Sequence, residues 1–417
     1  LLNVAREHKR RGLPLDAIVI DFFHWTLQGD FRFEPRDWPD PDAMVKELHD
    51  MGVETVVSVW PTVDERSRNY PFMAEHGYLV ASDHGCSLNS TWMGNTTYFD
   101  ATHPDAQKFV WEQCKENYYQ KGIRCFWLDE AEPEYGNYDF DNYRYYAGPA
   151  LQCSNVYPVG YAKGFYEGLK EAGEENVMSL IRCAWAGSQK YAVLTWSGDV
   201  YSSFRSMREQ LQAGLSMGMA GIPWWTSDIG GFIGGQPVDP AFRELLMRWF
   251  AWGCFCPVFR MHGERSPWYE REVEYIDNVR QLTSGQPNEV WSFGEKVYEV
   301  LKKFLFLRER LRSYVRGLMK EASETGAPVM RPLFFDFPSD PACWNVEDSY
   351  MFGPDLLVSP VMEAGAQQRS VYLPVGCRWT DAYTHQTYEG GQTVTVPAPI
   401  DVIPVMVREG REYPIYD

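Results

Sequence analysis

The chain has 417 residues, 45% hydrophobic and 23% charged, which supplies a large core and excludes a disordered tail or a coiled coil. With 39 Lys and Arg against 57 Asp and Glu, the formal net charge is −18, so neither nucleic acid nor an anionic membrane is an expected partner. Aromatic residues reach 15%, with 16 Trp, 25 Tyr and 23 Phe, a composition that serves a large core or flat faces for sugar rings.

In chain order, a short apolar run alternates with a polar loop and a helical stretch. Residues 1–12 read as a helix that enters the first visible strand, 17–22. Further strands are expected at 55–60, 123–128, 177–183, 193–196, 221–225 and 255–260. These runs are apolar throughout, as in parallel strands buried on both faces. Helical patterns lie between them at 41–51, 105–121, 160–172, 204–219 and 240–253. Seven strands alternating with helices predict a (β/α)8 TIM barrel whose first strand lies upstream of Leu1. Two long excursions, near 62–102 and 134–159, follow strands and are expected at the face where such barrels build sites. A helix at 297–321 then gives way to Pro, Gly and short strands at 356–361, 370–373, 393–396 and 402–407. The expected organisation is a catalytic barrel over 1–328 and a small antiparallel β-sandwich over 329–417. Nine scattered Cys argue for a reducing, cytoplasmic setting, and no run of about 18 apolar residues predicts a membrane span.

The strand ends carry the chemistry. The first ends at Asp21, followed by Phe22, and the second at Trp60. The third ends in Trp127-Leu128-Asp129-Glu130-Ala131-Glu132-Pro133-Glu134 and the fourth at Arg182. The fifth runs Trp196-Ser197-Gly198-Asp199. The sixth runs Trp224-Trp225-Thr226-Ser227-Asp228-Ile229-Gly230-Gly231-Phe232, and the seventh Arg260-Met261-His262-Gly263. Acids can grip paired hydroxyls and Trp can stack on a sugar ring. Glycoside hydrolysis needs one ionised and one protonated carboxyl group, and Asp129 and Asp199 are the best pair. For any single Asp here a helix N-cap is the alternative. Arg182 could instead pair with a barrel acid, and His262 could be a core histidine. His262 with Asp21 and Asp129 could also be read as metal ligands, but the usual closely spaced His pairs are absent, so no metal is expected. Side-chain alternation along an extended strand sets Glu132 aside as a residue that orients Asp129, and Glu134 falls in the loop.

The runs WLDEAEPE at 127–134, WSGD at 196–199, WWTSDIGGF at 224–232 and FRMHG at 259–263 resemble glycoside hydrolase family 31. The runs YMFGPDLLVSPV at 350–361 and IPVMVREG at 403–410 are similar to the β domain that follows that family's barrel. The resemblance implies a retaining, exo-acting α-glycosidase that needs no cofactor. Asp129 would be its nucleophile and Asp199 its general acid/base. Asp21, Arg182, Asp228 and His262 would hold sugar hydroxyls, and Trp60, Trp127 and Trp196 would form walls. Phe22, Phe232 and Arg260 complete the expected pocket. It also implies a β-sandwich and a first barrel strand ahead of Leu1. Phe22, Phe23 and Trp60 crowd the space an exocyclic CH2OH would need, so an α-xyloside is the expected substrate. An α-glucosidase or a transglycosylase is the alternative within the class. A sugar-binding barrel without catalysis and a metal-dependent hydrolase are the alternatives outside it. Oligomeric state is not readable.

Overall fold

The computed structural model describes residues 1–85, 90, 94–135, 140–267, 275–276, 279–280 and 285–416. Two compact units divide the chain: 1–195 with 270–283, and 196–269 with 284–417.

In the first unit the strands Ala17–Ile20, Glu54–Val59, Cys125–Leu128, Ser179–Ile181 and Val193–Trp196 lie side by side in chain order, and every pairing is parallel. An unreversed order with helices between neighbours is the wall of a (β/α) barrel; a doubly wound sheet would change direction. The helices Pro41–Asp50 and Pro104–Asn117 each open with Pro at the first position behind a capping side chain. Asp40 accepts the Ala43 N–H and His103 Nδ1 accepts the Asp105 N–H.

The helix Tyr157–Glu171 carries Gly160, Gly164 and Gly168 at four-residue spacing, and hence on one face. That face meets the Pro104–Asn117 helix at close range. A Cβ on Gly168 would lie 2.3 Å from the buried Trp111 indole, and one on Gly160 would lie 2.1 Å from the Ala101 carbonyl oxygen. The two excursions are also structured. Thr62–Asp64 pairs antiparallel with Thr96–Tyr98, and Ala81–Ser82 joins Tyr143–Tyr145 and Gly148–Pro149 in a three-stranded sheet. The second excursion is thus tied to the first by main-chain hydrogen bonds.

In the second unit the long helices among the described residues are Phe204–Met219, Pro240–Gly253, Glu295–Arg310 and Arg312–Thr325. The helix expected over 297–321 is therefore two helices that meet at Leu311. The strand expected at 221–225 is reduced to Trp225–Thr226. The strand expected at 255–260 is absent: that segment is a run of turns and coil. Its carbonyls are taken by a side chain instead. Arg308 donates to the carbonyls of Cys254, Cys256 and Pro257, each at 2.8 Å.

The C-terminal part holds an antiparallel sheet in the order Met330–Pro332, Tyr350–Phe352, Leu356–Val358, Val405–Arg408, Arg378–Asp381, Thr387–Glu389. A second sheet pairs Gln368–Leu373 with Gln392–Pro397. Met351, Leu357 and Met406 from one sheet share a buried cluster with Val371, Leu373 and Val396 from the other. The arrangement is a small sandwich. The sequence pattern missed the strands around Met330, Met351, Trp379 and Tyr388 because three or four residues are too few to show alternation.

An exposed helical Gly→Ala change gains about 1 kcal/mol of helix propensity. At Gly168 the sign reverses, because the new methyl overlaps an indole in a close-packed interface. Gly168→Ala is expected to lower unfolding stability by about 1–3 kcal/mol in chemical denaturation.

Candidate active site

In the first unit the candidate side chains sit where the parallel strands end. Asp21 follows Ile20, and its Oδ1 accepts the Phe22 N–H at 2.7 Å. The turn beyond is pinned by a residue that the sequence reading passed over. His24 is buried, with Nδ1 2.8 Å from the Asp21 carbonyl oxygen and Nε2 2.8 Å from the Tyr118 hydroxyl. Burial pushes its pKa down to about 4, against the pull of the Asp21 carbonyl, so the ring is neutral. Phe23 has φ 58°, a left-handed conformation rarely adopted by a bulky residue. The bend sets Phe22 against Trp60, with ring centroids 5.1 Å apart, and Phe23 against Phe22 at 5.0 Å. Trp60 and Trp127 are both buried.

Asp129 continues the strand Cys125–Leu128. Its N–H donates to the Val59 carbonyl at 3.1 Å, and its Oδ1 accepts the Glu130 N–H at 2.9 Å. Arg182, at the end of the next strand, reaches four carboxylates. Its Nε is 2.8 Å from Glu132 and 3.6 Å from Asp129, and its Nη2 is 2.5 Å from Glu134 and 3.1 Å from Glu130. Burial alone would lower the Arg182 pKa, but Asp129, Glu130, Glu132 and Glu134 together raise it, so the guanidinium stays charged. Arg182 therefore pairs with barrel acids at the strand end where the substrate-binding role was expected. The expected alternation does not separate the acids. Glu130 has φ 53°, so the chain leaves the extended conformation directly after Asp129.

The second unit presents the other candidates. Trp196 is buried, and the Arg260 guanidinium lies 5.5 Å from its ring centroid. Arg260 pairs with Asp228, which is fully buried. Asp228 opens a tight turn in which Gly231, at φ 78°, passes so close to Ser202 that a Cβ would sit 2.6 Å from its main chain. Asp199 lies one residue beyond Gly198, itself at φ 78°, and is exposed. Phe232 and His262 lie against each other with ring centroids 5.3 Å apart and planes tilted by 31°. Burial, followed by the Arg260 and Arg265 charges, holds the His262 pKa well below its usual value, so that ring too is neutral.

Arg265 was not singled out from the sequence. It is fully buried and donates to the carbonyls of Gly231 and Ile229 at 2.9 and 3.1 Å and to Asn288 Oδ1 at 2.7 Å. It holds the Asp228 turn in shape; its place three residues past His262 was the only signal. Among the described residues no group of three or more His, Cys, Asp and Glu is arranged as a metal site. The cation amid the first unit's acids is Arg182.

Parallel strands in unbroken order, with carboxylates, Arg and Trp at their C-terminal ends, define a barrel of the glycoside hydrolase class. Residues 1–316 match the model of the glycosyl hydrolases family 31 TIM-barrel domain, and residues 326–411 match that of the family 31 C-terminal domain. The chain belongs to glycoside hydrolase family 31, with a TIM barrel followed by a C-terminal β domain. A family 31 glucosidase designated ORF2 from Pseudescherichia vulneris, itself uncharacterized, is 62% identical over 64% of this chain and 50% of its own length. An alpha-xylosidase from Saccharolobus solfataricus is 33% identical over 100% of this chain and 53% of its own. Among solved structures, a GH31 alpha-xylosidase from a soil metagenome complexed with xylose is 58% identical, with a TM-score of 0.97 over 99% of this chain and 61% of that one. The chain spans about half the length of the curated relatives it matches.

The buried neutral His24 makes stability pH-dependent. Its folded pKa lies below the unfolded value near 6.5, so the unfolded chain takes up a proton first as pH falls. The contribution is intact above about pH 6.5, and roughly 3 kcal/mol of it is lost by about pH 4. Urea unfolding of the parent and of His24→Gln at pH 7.0 and pH 4.5, chosen to bracket about that window, checks this. The stability gap between the two proteins should narrow at the lower pH, and a constant gap contradicts the account.

Proposed function

We propose that the protein containing this chain is a retaining, exo-acting α-xylosidase that releases a terminal α-linked xylose from an oligosaccharide or small glycoside. Residues 1–328 are read as its barrel and 329–417 as its β domain. Asp129 attacks the anomeric carbon as Asp199 gives its proton to the departing glycosidic oxygen. The products of this step are a glycosyl ester on Asp129, a free aglycone and an ionised Asp199. Asp199 then takes a proton from water, whose oxygen displaces Asp129 with a second inversion, so configuration is retained. Asp21, Arg182, Asp228, Arg260 and His262 grip hydroxyls, and Phe22, Trp60, Trp127, Trp196 and Phe232 enclose the ring. Eight described cysteines are free, which fits a reducing, cytoplasmic setting. No described helix is long and apolar enough to cross a membrane.

The observation that carries the xyloside reading is the aromatic cluster beside Asp21. Phe22 and Phe23 back onto Trp60 within 5.1 and 6.2 Å between centroids. Such a wall leaves little room for the extra CH2OH of glucose. The α-xylosidase solved with xylose, 58% identical, supports the same glycone. One small group is worth about 1–3 kcal/mol of discrimination, so the expected preference is about 10–200-fold in kcat/KM. The related glucosidase keeps the α-glucoside as the second reading.

The test is the intact parent protein on aryl α-xyloside and aryl α-glucoside side by side. Preference for the xyloside supports the steric account; preference for the glucoside overturns it. Asp129→Ala should abolish turnover, and activity above about a percent contradicts the nucleophile assignment, since loss of such a group costs several orders of magnitude. Asp199→Ala should slow substrates with good leaving groups much less than natural ones, because those need little protonation. Equal losses on both would remove Asp199 from the acid/base role.

A further inference from the structure

Four acids converge on one guanidinium in the first unit, and the proposed reaction uses only Asp129. Glu130 is the unexplained member. Its side chain is 15% exposed, close to the 10% of Asp129, whereas Glu132 and Glu134 are 39% and 54% exposed and well solvated. Left-handed backbone at Glu130 costs a non-glycine residue about 1–2 kcal/mol, and such strain concentrates at functional positions. The turn aims its N–H at Asp129 and its carboxyl group at two partners: Arg182 Nη2 is 3.1 Å from Oε1, and the Tyr98 hydroxyl is 3.4 Å from Oε2. Tyr98 is held in place by donating to the Glu134 carbonyl at 2.7 Å.

We propose that Glu130 is a positioning residue for the nucleophile: bracketed by Tyr98 and Arg182, it fixes where the guanidinium stands beside Asp129. The inference rests on Asp129 being the nucleophile. One cation among four carboxylates leaves a surplus of negative charge, and a surplus charge in a half-buried cluster is shed by taking up a proton. Glu132 and Glu134 are the solvated members of the cluster. Asp129 accepts a main-chain N–H, which favours its ionised form. That leaves Glu130, and burial, with the charges of Asp129, Glu134 and Glu132 outweighing Arg182, pushes its carboxyl up to about 8. The groups that face it are Asp129, Glu132, Glu134, Arg182, Tyr98 and, from the helix Tyr157–Glu171, Tyr161. With its proton in place Glu130 touches Arg182 without competing for its charge, so that charge is directed at Asp129.

The test uses the intact parent protein and pH profiles of kcat/KM on whichever aryl glycoside it turns over. Glu130→Gln mimics the protonated acid. It should keep kcat within about threefold of the parent and leave the acid limb of the profile in place. Glu130→Ala removes the wedge and should lose about tenfold to a hundredfold in kcat, the scale of a small misplacement at a reacting centre. Rescue of the Ala loss by Gln separates positioning from simple packing. The proposal fails if Ala is as active as the parent, or if Gln is as impaired as Ala. It also fails if the acid limb of Glu130→Gln moves down by about half a pH unit or more, because Glu130 would then be an ionised neighbour of Asp129. If Glu130→Ala does not fold, Tyr98→Phe carries the test: a fall in kcat supports the proposal and an unchanged kcat overturns it. Asp129→Ala assayed alongside separates the two readings. Turnover in that variant sinks the nucleophile assignment, whereas its inactivity beside an unaffected Glu130→Ala sinks only this proposal.

Discussion

The guanidinium of Arg182 is the constraint on which the rest of the first unit's strand ends depends. Two like charges about 4 Å apart cost roughly 4 kcal/mol at the effective dielectric of a protein surface. Asp129, Glu130, Glu132 and Glu134 could not share this space without a cation. Arg182 comes from a neighbouring parallel strand, in register with the strand that carries Asp129: Leu128 stands opposite Ile181. The barrel pairing thus delivers counter-charge and acid to the same level, and strand register becomes electrostatics.

Much of this was legible in the sequence, and the reasons are specific. Apolar runs ending in Asp21, Trp60, Asp129 and Arg182 announce parallel strands with chemistry at one end, because nothing else places a charge after so uniform a run. Glu130 was not legible. Period-two alternation sends it away from Asp129, and no glycine marks the left-handed residue that defeats the alternation. His24 was hidden for the opposite reason, since a histidine between aromatics reads as another wall residue. Its bond to Tyr118 spans 94 positions and leaves no local trace. The run at 255–260 looked like a strand by composition, because hydrophobicity reports burial and not the partner of each carbonyl.

That partner was Arg308, and the same device recurs. Arg248, buried on the helix Pro240–Gly253, donates to the carbonyls of Ala366, Ala398, Pro399 and Val402 at 2.7 to 3.3 Å. Arg265 does the same for the Asp228 turn. A guanidinium carries five donors in a fixed plane, so one side chain satisfies irregular backbone that no ladder could. Buried carbonyls left without donors would each cost about 1–3 kcal/mol. These arginines let the second unit bury loops, which is what a site built on strand ends requires.

The acids of the second unit divide by the same physics. Asp228 is enclosed and committed to Arg260. Enclosure in that ion pair suits a rigid contact. Asp199 stands exposed on a glycine-led turn, a setting that suits the proton exchange proposed for it. Asp129 has the reverse setting, buried, with the Glu130 N–H on its Oδ1 and the Arg182 guanidinium 3.6 Å away. Those opposite settings are in keeping with the proposed division of labour between Asp129 and Asp199, since the two side chains are chemically identical.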